Sequence, residues 1–90
     1  MRTVAYAGSF DPITNGHVHI IKKALKLFDE VVLVVTKHPD KKGNWPLDLR
    51  ARVCQQVIDD VFKGRGVRVE TNDMYLTGDY LKQLRIDCII

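Results

Sequence analysis

Five consecutive branched apolar residues at positions 31–35 (Val-Val-Leu-Val-Val) constrain the fold of this chain more than any other stretch. A strand with one face in water alternates apolar and polar residues, whereas an uninterrupted apolar run is typical of a strand covered on both faces. The run therefore predicts an inner strand of a parallel sheet. It is also far too short to cross a bilayer.

The segment before this run predicts a strand followed by a helix. Residues 3–7 are short and β-rich, and residues 16–28 carry apolar side chains at helical spacing, with Asn15 as the expected N-cap. The apolar positions of that helix are Val18, Ile21, Ala24, Leu25 and Phe28. Together with residues 31–35 these elements form one β-α-β unit.

A polar loop at residues 36–46 separates this unit from a second helical pattern, in which an apolar residue recurs every four positions. We expect Asp48 to cap this helix and Gly64 and Gly66 to end it. The repeating residues, predicted to face the core, are Leu49, Val53, Val57 and Val61, and the pattern leaves Arg50 and Arg52 on the exposed face.

Three further elements complete the alternation. We expect a strand at residues 67–69, a short helix at residues 77–84 and the opening of a fourth parallel strand at residues 88–90. The predicted order is β-α-β-α-β-α-β, a single α/β domain over residues 1–90 with a Rossmann-like parallel sheet. Ligands of such sheets bind beyond the carboxyl ends of the strands, which here are residues 8–9, 36–42 and 71–76.

The first of these strand ends has the composition of a phosphate site. Residues 6–17 read Tyr-Ala-Gly-Ser-Phe-Asp-Pro-Ile-Thr-Asn-Gly-His, a strand, a turn and a helix start. Free N–H groups and the macrodipole favour an anion at a helix start, and glycine at positions 8 and 16 leaves room for it. His17 could donate a hydrogen bond to a phosphate oxygen there. A turn without any ligand remains the alternative.

The charge is compatible with a small polyanionic substrate, and the cysteines do not indicate a metal site. The net charge of +3 arises from 14 basic residues spread among 11 acidic ones, which does not suit a nucleic-acid-binding protein. Cys54 and Cys88 lack the spacing of a metal site and are predicted to be buried free thiols. No signal peptide or membrane anchor is recognised, so we expect a cytoplasmic protein.

The string Gly-Ser-Phe-Asp-Pro-Ile-Thr-Asn-Gly-His resembles the signature of the nucleotidyltransferase superfamily, whose T/H-x-G-H motif corresponds here to residues 14–17. The flanking residues are similar to those of the phosphopantetheine adenylyltransferases. This similarity continues through residues 24–31, 39–42 and 49–53 and covers essentially the whole chain. It corresponds to the N-terminal half of that family's fold.

The resemblance implies adenylyl transfer from ATP to 4′-phosphopantetheine, which gives dephospho-CoA and pyrophosphate in coenzyme A biosynthesis. It implies Mg²⁺ as the ion that accompanies ATP, with no metal ligands assigned in this chain. His17 and Lys41 would be catalytic. The nucleotide would be bound by Gly8, Ser9, Phe10, Gly16 and His17, and phosphopantetheine or CoA by Ser9, Thr36, Lys41 and Leu76.

Two other functions stay open on the sequence. One is a non-catalytic nucleotide- or CoA-binding module, and the other is a nucleotidyltransferase with a different acceptor, for instance one making NAD or a cytidylylated alcohol. A dinucleotide-dependent dehydrogenase is disfavoured because Gly-x-Gly-x-x-Gly is absent after the first predicted strand. An aminoacyl-tRNA synthetase is disfavoured by the length of 90 residues.

The apolar residues 88–90 predict an unpaired sheet edge. We therefore expect a homo-oligomer rather than a monomer. We also expect little adenylyl transfer by these 90 residues alone, because the family's second phosphate-binding segment follows the matched part.

Overall fold

The computed structural model of this chain describes residues 2–36, 45–63, 65–72 and 88–90. Strands and helices alternate along it, as the sequence predicts. Two helices lie between the first three strands. In chain order the elements are β1 (Thr3–Gly8), α1 (Asn15–Ala24), β2 (Glu30–Thr36), α2 (Leu47–Phe62), β3 (Val67–Asn72) and β4 (Cys88–Ile89).

The four strands form one parallel sheet in the order β3-β2-β1-β4. The chain moves outward from β1 to β2 and β3, and then returns to the other side of β1. The predicted Rossmann-like fold is thus confirmed. The crevice of such a sheet lies where the strand order reverses, so the carboxyl end of β1 is the expected ligand position.

β2 is the most deeply buried strand. All five residues at positions 31–35 have no exposed surface, which confirms that this strand is covered on both faces. Its odd-numbered side chains belong to one core cluster, together with residues of β1, β3, both helices and the loop after β1. The cluster consists of Val4, Phe10, Ile21, Ala24, Val31, Leu33, Val35, Cys54, Ile58 and Val67.

Helix α1 differs from the prediction at both ends. Its N-cap is Thr14 and not Asn15, because the Thr14 hydroxyl is the side-chain group that accepts a hydrogen bond from the first turn. The helix ends at Ala24, after which residues 25–27 form a turn. The predicted core face is confirmed, since Val18, Ile21 and Ala24 are buried.

Helix α2 presents a different face to the core than the four-residue repeat predicts. The buried residues are Arg50, Cys54 and Ile58, whereas Leu49 is 38% exposed and Val61 40%. Leu47, Ala51 and Phe62 pack against the core cluster beside them. The expectation that Arg50 lies on an exposed face is therefore wrong, while Arg52 is exposed as predicted.

The ends of α2 also differ from the expectation. Pro46 precedes the first turn in place of an Asp48 cap, and no side chain caps this end. At the other end Lys63 takes the left-handed conformation, with φ of 56°, so the helix ends before the two glycines that were expected to end it. The expected hydrogen bond that closes the last turn is present, from the Lys63 N–H to the Asp59 carbonyl.

Several predictions lie outside the described residues, namely Lys41, Leu76 and the helix at residues 77–84. Cys54 is a buried free cysteine, as predicted. Within the ranges that the structure describes, no helix has the length and apolar character needed to cross a membrane.

Candidate functional site

The loop between β1 and α1 begins with a buried aromatic residue. Phe10 has a φ of 46°, a left-handed conformation that costs a non-glycine residue about 1–2 kcal/mol. Its ring is 2% exposed and packs edge-on against Tyr6, with the centroids 5.3 Å apart. The His17 ring also packs against Phe10, with the centroids 4.9 Å apart, and its centroid lies 6.1 Å from that of Tyr6. These three rings, which we call the ring cluster, anchor the loop at the carboxyl end of β1.

Gly8 makes the position of Phe10 possible. A Cβ atom at residue 8 would lie 3.3 Å from both Cε2 and Cζ of Phe10, which is closer than ordinary van der Waals contact. Gly16 differs, since a Cβ atom there would meet only the Thr14 hydroxyl oxygen, at 3.6 Å. A side chain at residue 8 would therefore press on the Phe10 ring, whereas one at residue 16 would make only ordinary contact.

His17 is held by the residue that caps its own helix. The Thr14 backbone N–H donates to Nδ1 of His17 at 2.9 Å, and the His17 N–H donates to the Thr14 hydroxyl oxygen at 3.4 Å. This is a capping box in which histidine takes the place usually held by Glu or Gln. A nitrogen that accepts a hydrogen bond carries no proton, so the ring N–H of neutral His17 lies on Nε2.

The first turn of α1 leaves backbone donors available. Among the described residues, none accepts a hydrogen bond from the N–H of Asn15 or Gly16. Such N–H groups point out of the helix start and, with the macrodipole, favour an anion. The Nε2–H of His17 adds a third donor in the same turn.

The end of β2 is joined directly to the end of β1. The Thr36 hydroxyl donates to the Gly8 carbonyl at 3.2 Å, and Gly8 pairs with Val35 in the parallel register. The hydroxyl proton of Thr36 is therefore engaged within the protein. The Ser9 hydroxyl, by contrast, has no hydrogen-bond partner among the described residues.

Arg50 links three segments beneath this loop. Its guanidinium is buried, and Nη1 donates to the carbonyls of Ser9 at 2.7 Å and Thr36 at 2.8 Å. Its Nε donates to the Trp45 carbonyl at 2.9 Å. One turn further along α2, burial raises the pKa of the Cys54 thiol to about 11, although the nearby Arg50 cation opposes that rise.

Trp45 fixes the entry to α2 against the same loop. Its backbone N–H lies 3.4 Å from Oδ1 of Asp11, and its carbonyl accepts the bond from Arg50. The indole is 42% exposed. Asp11, Trp45, Arg50 and Ser9 therefore form a continuous set of contacts between the first loop and the second helix.

The structure brings most of the sequence-predicted site residues to one end of the sheet. They lie in the loop after β1, in the first turn of α1 and at the end of β2. They are Gly8, Ser9, Phe10, Gly16, His17 and Thr36, whereas Lys41 and Leu76 lie outside the described residues. Within the described ranges, no three His, Cys, Asp or Glu side chains lie close enough to hold a metal ion.

Sequence reasoning missed two features of this site. The capping role of Thr14 had a signal, because Thr followed three residues later by a side chain with an acceptor nitrogen fits a capping box. The burial of Arg50 also had a signal, since Arg50 shares the helical spacing of Cys54 and Ile58. The repeat that begins at Leu49 has the same spacing and more apolar residues, so the sequence pattern favours it as the core face instead.

Comparison with known proteins gives a consistent picture. Residues 5–90 match the cytidylyltransferase-like family. The phosphopantetheine adenylyltransferase of Clostridium novyi (strain NT) is 42% identical over 90 residues, which is 100% of this chain and 53% of the relative. That of Campylobacter jejuni (strain RM1221) is 38% identical over 88 residues, 98% of this chain and 53% of the relative. The predicted resemblance is thus confirmed, and the chain spans about half the length of these curated relatives.

Two solved structures share the fold. The NadR protein, solved in complex with NAD and AMP-PNP, superposes with a TM-score of 0.63 at 25% identity, over 91% of this chain and 24% of that one. A Vibrio parahaemolyticus protein assigned as a nicotinate-nucleotide adenylyltransferase superposes with a TM-score of 0.64 at 21% identity, over 98% of this chain and 55% of that one. The second similarity concerns the fold alone.

Proposed function

This chain belongs to the cytidylyltransferase-like family, and from that membership we propose that the loop after β1 and the start of α1 bind the phosphates of ATP. One observation carries the proposal. The Thr14 N–H donates to Nδ1 of His17, which leaves the ring proton on Nε2, in the same helical turn as the available N–H groups of Asn15 and Gly16. Three donors in one helical turn suit a phosphate group.

The reaction that we propose is adenylyl transfer to 4′-phosphopantetheine. A phosphate oxygen of the acceptor attacks the α-phosphorus of ATP, the bond from that phosphorus to the bridging oxygen breaks, and pyrophosphate leaves. Support comes from the relatives at 38–42% identity, which are named phosphopantetheine adenylyltransferases. Those relatives are about twice as long as this chain, so their activity is proposed for it from similarity over its 90 residues.

Each proposed residue has a role in adenylyl transfer that does not require a protein nucleophile. Nε2–H of His17 donates to a phosphate oxygen as negative charge develops on it, and this donor is the main source of transition-state stabilisation. Ser9, whose hydroxyl has no partner among the described residues, holds the acceptor phosphate. Lys41 neutralises the transferred phosphoryl group. The family resemblance assigns Thr36 and Leu76 to the binding of the pantetheine arm.

Gly8 and Gly16 act through the backbone. Gly8 lets the ring of Phe10 pack beneath the loop, and Gly16 keeps the helix start open to a phosphate. The family resemblance implies that Mg²⁺ enters the site as part of the substrate, bound to the phosphates of ATP. It supplies charge neutralisation there.

Two measurements test the proposal. Pyrophosphate release is followed with ATP, Mg²⁺ and 4′-phosphopantetheine, and ATP binding is followed by calorimetry. We expect ATP to bind with a dissociation constant below about 1 mM, within the range of ordinary enzyme substrates. Binding of ATP without any pyrophosphate release favours a binding module. Absence of ATP binding at millimolar concentration contradicts the proposed function.

Trp45 offers an independent measurement of acceptor binding. It is the only tryptophan of the chain, and its backbone contacts both Asp11 and Arg50 at the strand end. Titration with CoA should change its fluorescence, because a ligand beside Thr36 reaches the same end of the sheet. An unchanged spectrum up to millimolar CoA contradicts the proposed acceptor site.

A second acceptor is favoured by one observation. The NadR structure, at 25% identity, contains NAD and AMP-PNP. A mononucleotide acceptor that yields NAD is therefore the alternative, and 4′-phosphopantetheine and nicotinamide mononucleotide are compared at equal concentration in the pyrophosphate assay. Faster release with the mononucleotide would replace the proposed acceptor.

A further inference from the structure

Arg50 is a buried cation that, among the described residues, donates hydrogen bonds only to backbone carbonyls. The residue is 3% exposed, and two of its guanidinium nitrogens donate to three carbonyls at 2.7–2.9 Å. The acceptors belong to Ser9, Thr36 and Trp45. They lie in the loop after β1, at the end of β2 and at the entry to α2, which are separate segments of the chain.

The charge of this guanidinium is not cancelled by a nearby carboxylate within the described part of the chain. The ion pairs of the described residues involve Arg68 with Glu30 and Glu70, at the β2–β3 edge of the sheet, and not Arg50. A buried arginine is ordinarily paired with an acid. The Arg50 charge lies against the carbonyls of Ser9 and Thr36, at the ends of β1 and β2, where effective dielectric screening is weaker than in water.

The shape of the side chain fixes geometry as well as charge. The guanidinium is planar and rigid, so bonds from Nε and Nη1 hold their acceptors at set positions relative to one another. The Thr36 hydroxyl adds a direct bond to the Gly8 carbonyl. The peptide after Ser9, which leads into the loop, is thereby held at a fixed distance from the end of β2.

We propose that Arg50 is the positioning residue of the phosphate site: it fixes Ser9 and Thr36 relative to each other and supplies a buried positive charge beneath the nucleotide phosphates. It does not touch the substrate and acts through those two residues. The inference rests on the proposed function, because it concerns the same strand ends. Arg50 lies within residues 49–53, which take part in the family resemblance, and that resemblance assigns it no role.

The test compares Arg50→Lys and Arg50→Met with the matched variants Arg52→Lys and Arg52→Met. Arg52 lies on the same helix and is exposed, so its variants control for charge and for helix propensity. ATP affinity is measured by calorimetry at a temperature where thermal melts show each variant fully folded. Lysine retains the charge but not the planar fork, and methionine removes both.

We expect Arg50→Lys to raise the dissociation constant for ATP by about tenfold, and Arg50→Met to raise it by more. Loss of the guanidinium would displace Ser9 and Thr36 from their positions, and displacement of groups that bind a ligand weakens its binding. The Arg52 variants should stay within about twofold of the wild type, as surface substitutions do. A merely structural residue would lower the melting temperature and leave the affinity of the folded protein unchanged, so unchanged affinity overturns the proposal. Absence of ATP binding by the wild type overturns the proposed function and this role together.

A measurement on the wild type tests the proposal even if the Arg50 variants fail to fold. The Nε–H of Arg50 is buried and hydrogen-bonded to the Trp45 carbonyl, so its proton should exchange slowly and give a resolved ¹H–¹⁵N signal. Addition of ATP should shift this signal together with the amide of Phe10, and leave the signal of Arg52 in place. A shift of the loop amide without any shift at Arg50 overturns the proposal.

Discussion

The backbone N–H of Thr14 donates to Nδ1 of His17 across 2.9 Å, so the residue that starts α1 also orients the ring in its first turn. The ring is confined on its other side by Phe10, whose centroid is 4.9 Å away. Among the described residues, the hydrogen bonds of the ring involve Nδ1, and Nε2 has no partner there. The tautomer of the ring thus follows from the start of the helix.

Replacement of Thr14 by Val should destabilise the protein by about 0.5–2 kcal/mol, the usual value of an N-cap. Thr14→Ser is the matched control, since it retains the hydroxyl and should remain within about 0.5 kcal/mol of the wild type. Urea denaturation measures both. In the wild type, ¹⁵N shifts of neutral His17 should show the proton on Nε2, and a proton on Nδ1 would contradict the capping geometry.

In a form of the protein that releases pyrophosphate, whether these 90 residues or a longer chain, replacement of His17 by Gln should lower kcat by roughly 10²-fold or more, the scale for loss of one oriented donor to developing charge. Gln at this position is an ordinary capping-box residue, so the helix start should remain stable. His19, exposed on the same helix, gives the control variant His19→Gln, which should retain kcat. A His17→Gln variant with nearly normal kcat would refute the catalytic role.

The two glycines of the loop should respond in opposite ways to alanine. Gly8→Ala places a Cβ atom 3.3 Å from the buried Phe10 ring and should destabilise the fold by about 1–3 kcal/mol. Gly16→Ala makes only ordinary contact, so its stability should be equal to or higher than that of the wild type, while ATP affinity falls. Chemical denaturation and calorimetry measure the two quantities. Equal stability of both variants would contradict the close packing at Gly8.

The Cys54 thiol should make stability fall at high pH. Burial raises its pKa from an ordinary value of 9.0 to about 11, so the folded state retains the thiol proton more strongly than the unfolded state does. The free energy of unfolding is therefore highest below pH 9 and decreases between pH 9 and about 11, by roughly 1–3 kcal/mol. Urea denaturation across this range measures it, and Cys54→Ala, which lacks the titrating group, should show a smaller decrease. An identical decrease in both proteins would contradict the shift.

Local patterns were sufficient to predict the order of the elements. The uninterrupted apolar run at residues 31–35 became a strand without exposed surface, since only a strand covered on both faces tolerates such a run. The loop and helix start at residues 8–17 were also predictable, because glycine, a capping residue and histidine act within a few positions of one another. In both cases the pattern that allows the prediction lies within a few consecutive residues.

The face that α2 turns to the core was not predictable in this way. Two stripes compete on that helix, one through Leu49 and Val61 and one through Cys54 and Ile58, and both have helical spacing. Packing against the strands decides between them, and it buries the second stripe. The more apolar stripe remains partly exposed, so hydrophobicity along the helix was a poor guide.

The sequence by itself determined the alternation of strands and helices, the inner position of β2 and the family to which the chain belongs, because each is written in local spacing and motif. Only the tertiary structure decided that Arg50 is buried. Its three acceptors lie 41, 14 and 5 residues away in the chain and come together only when β1, β2 and α2 have packed. A buried cation is stable where oxygen atoms surround it, and the folded arrangement of the backbone supplies them.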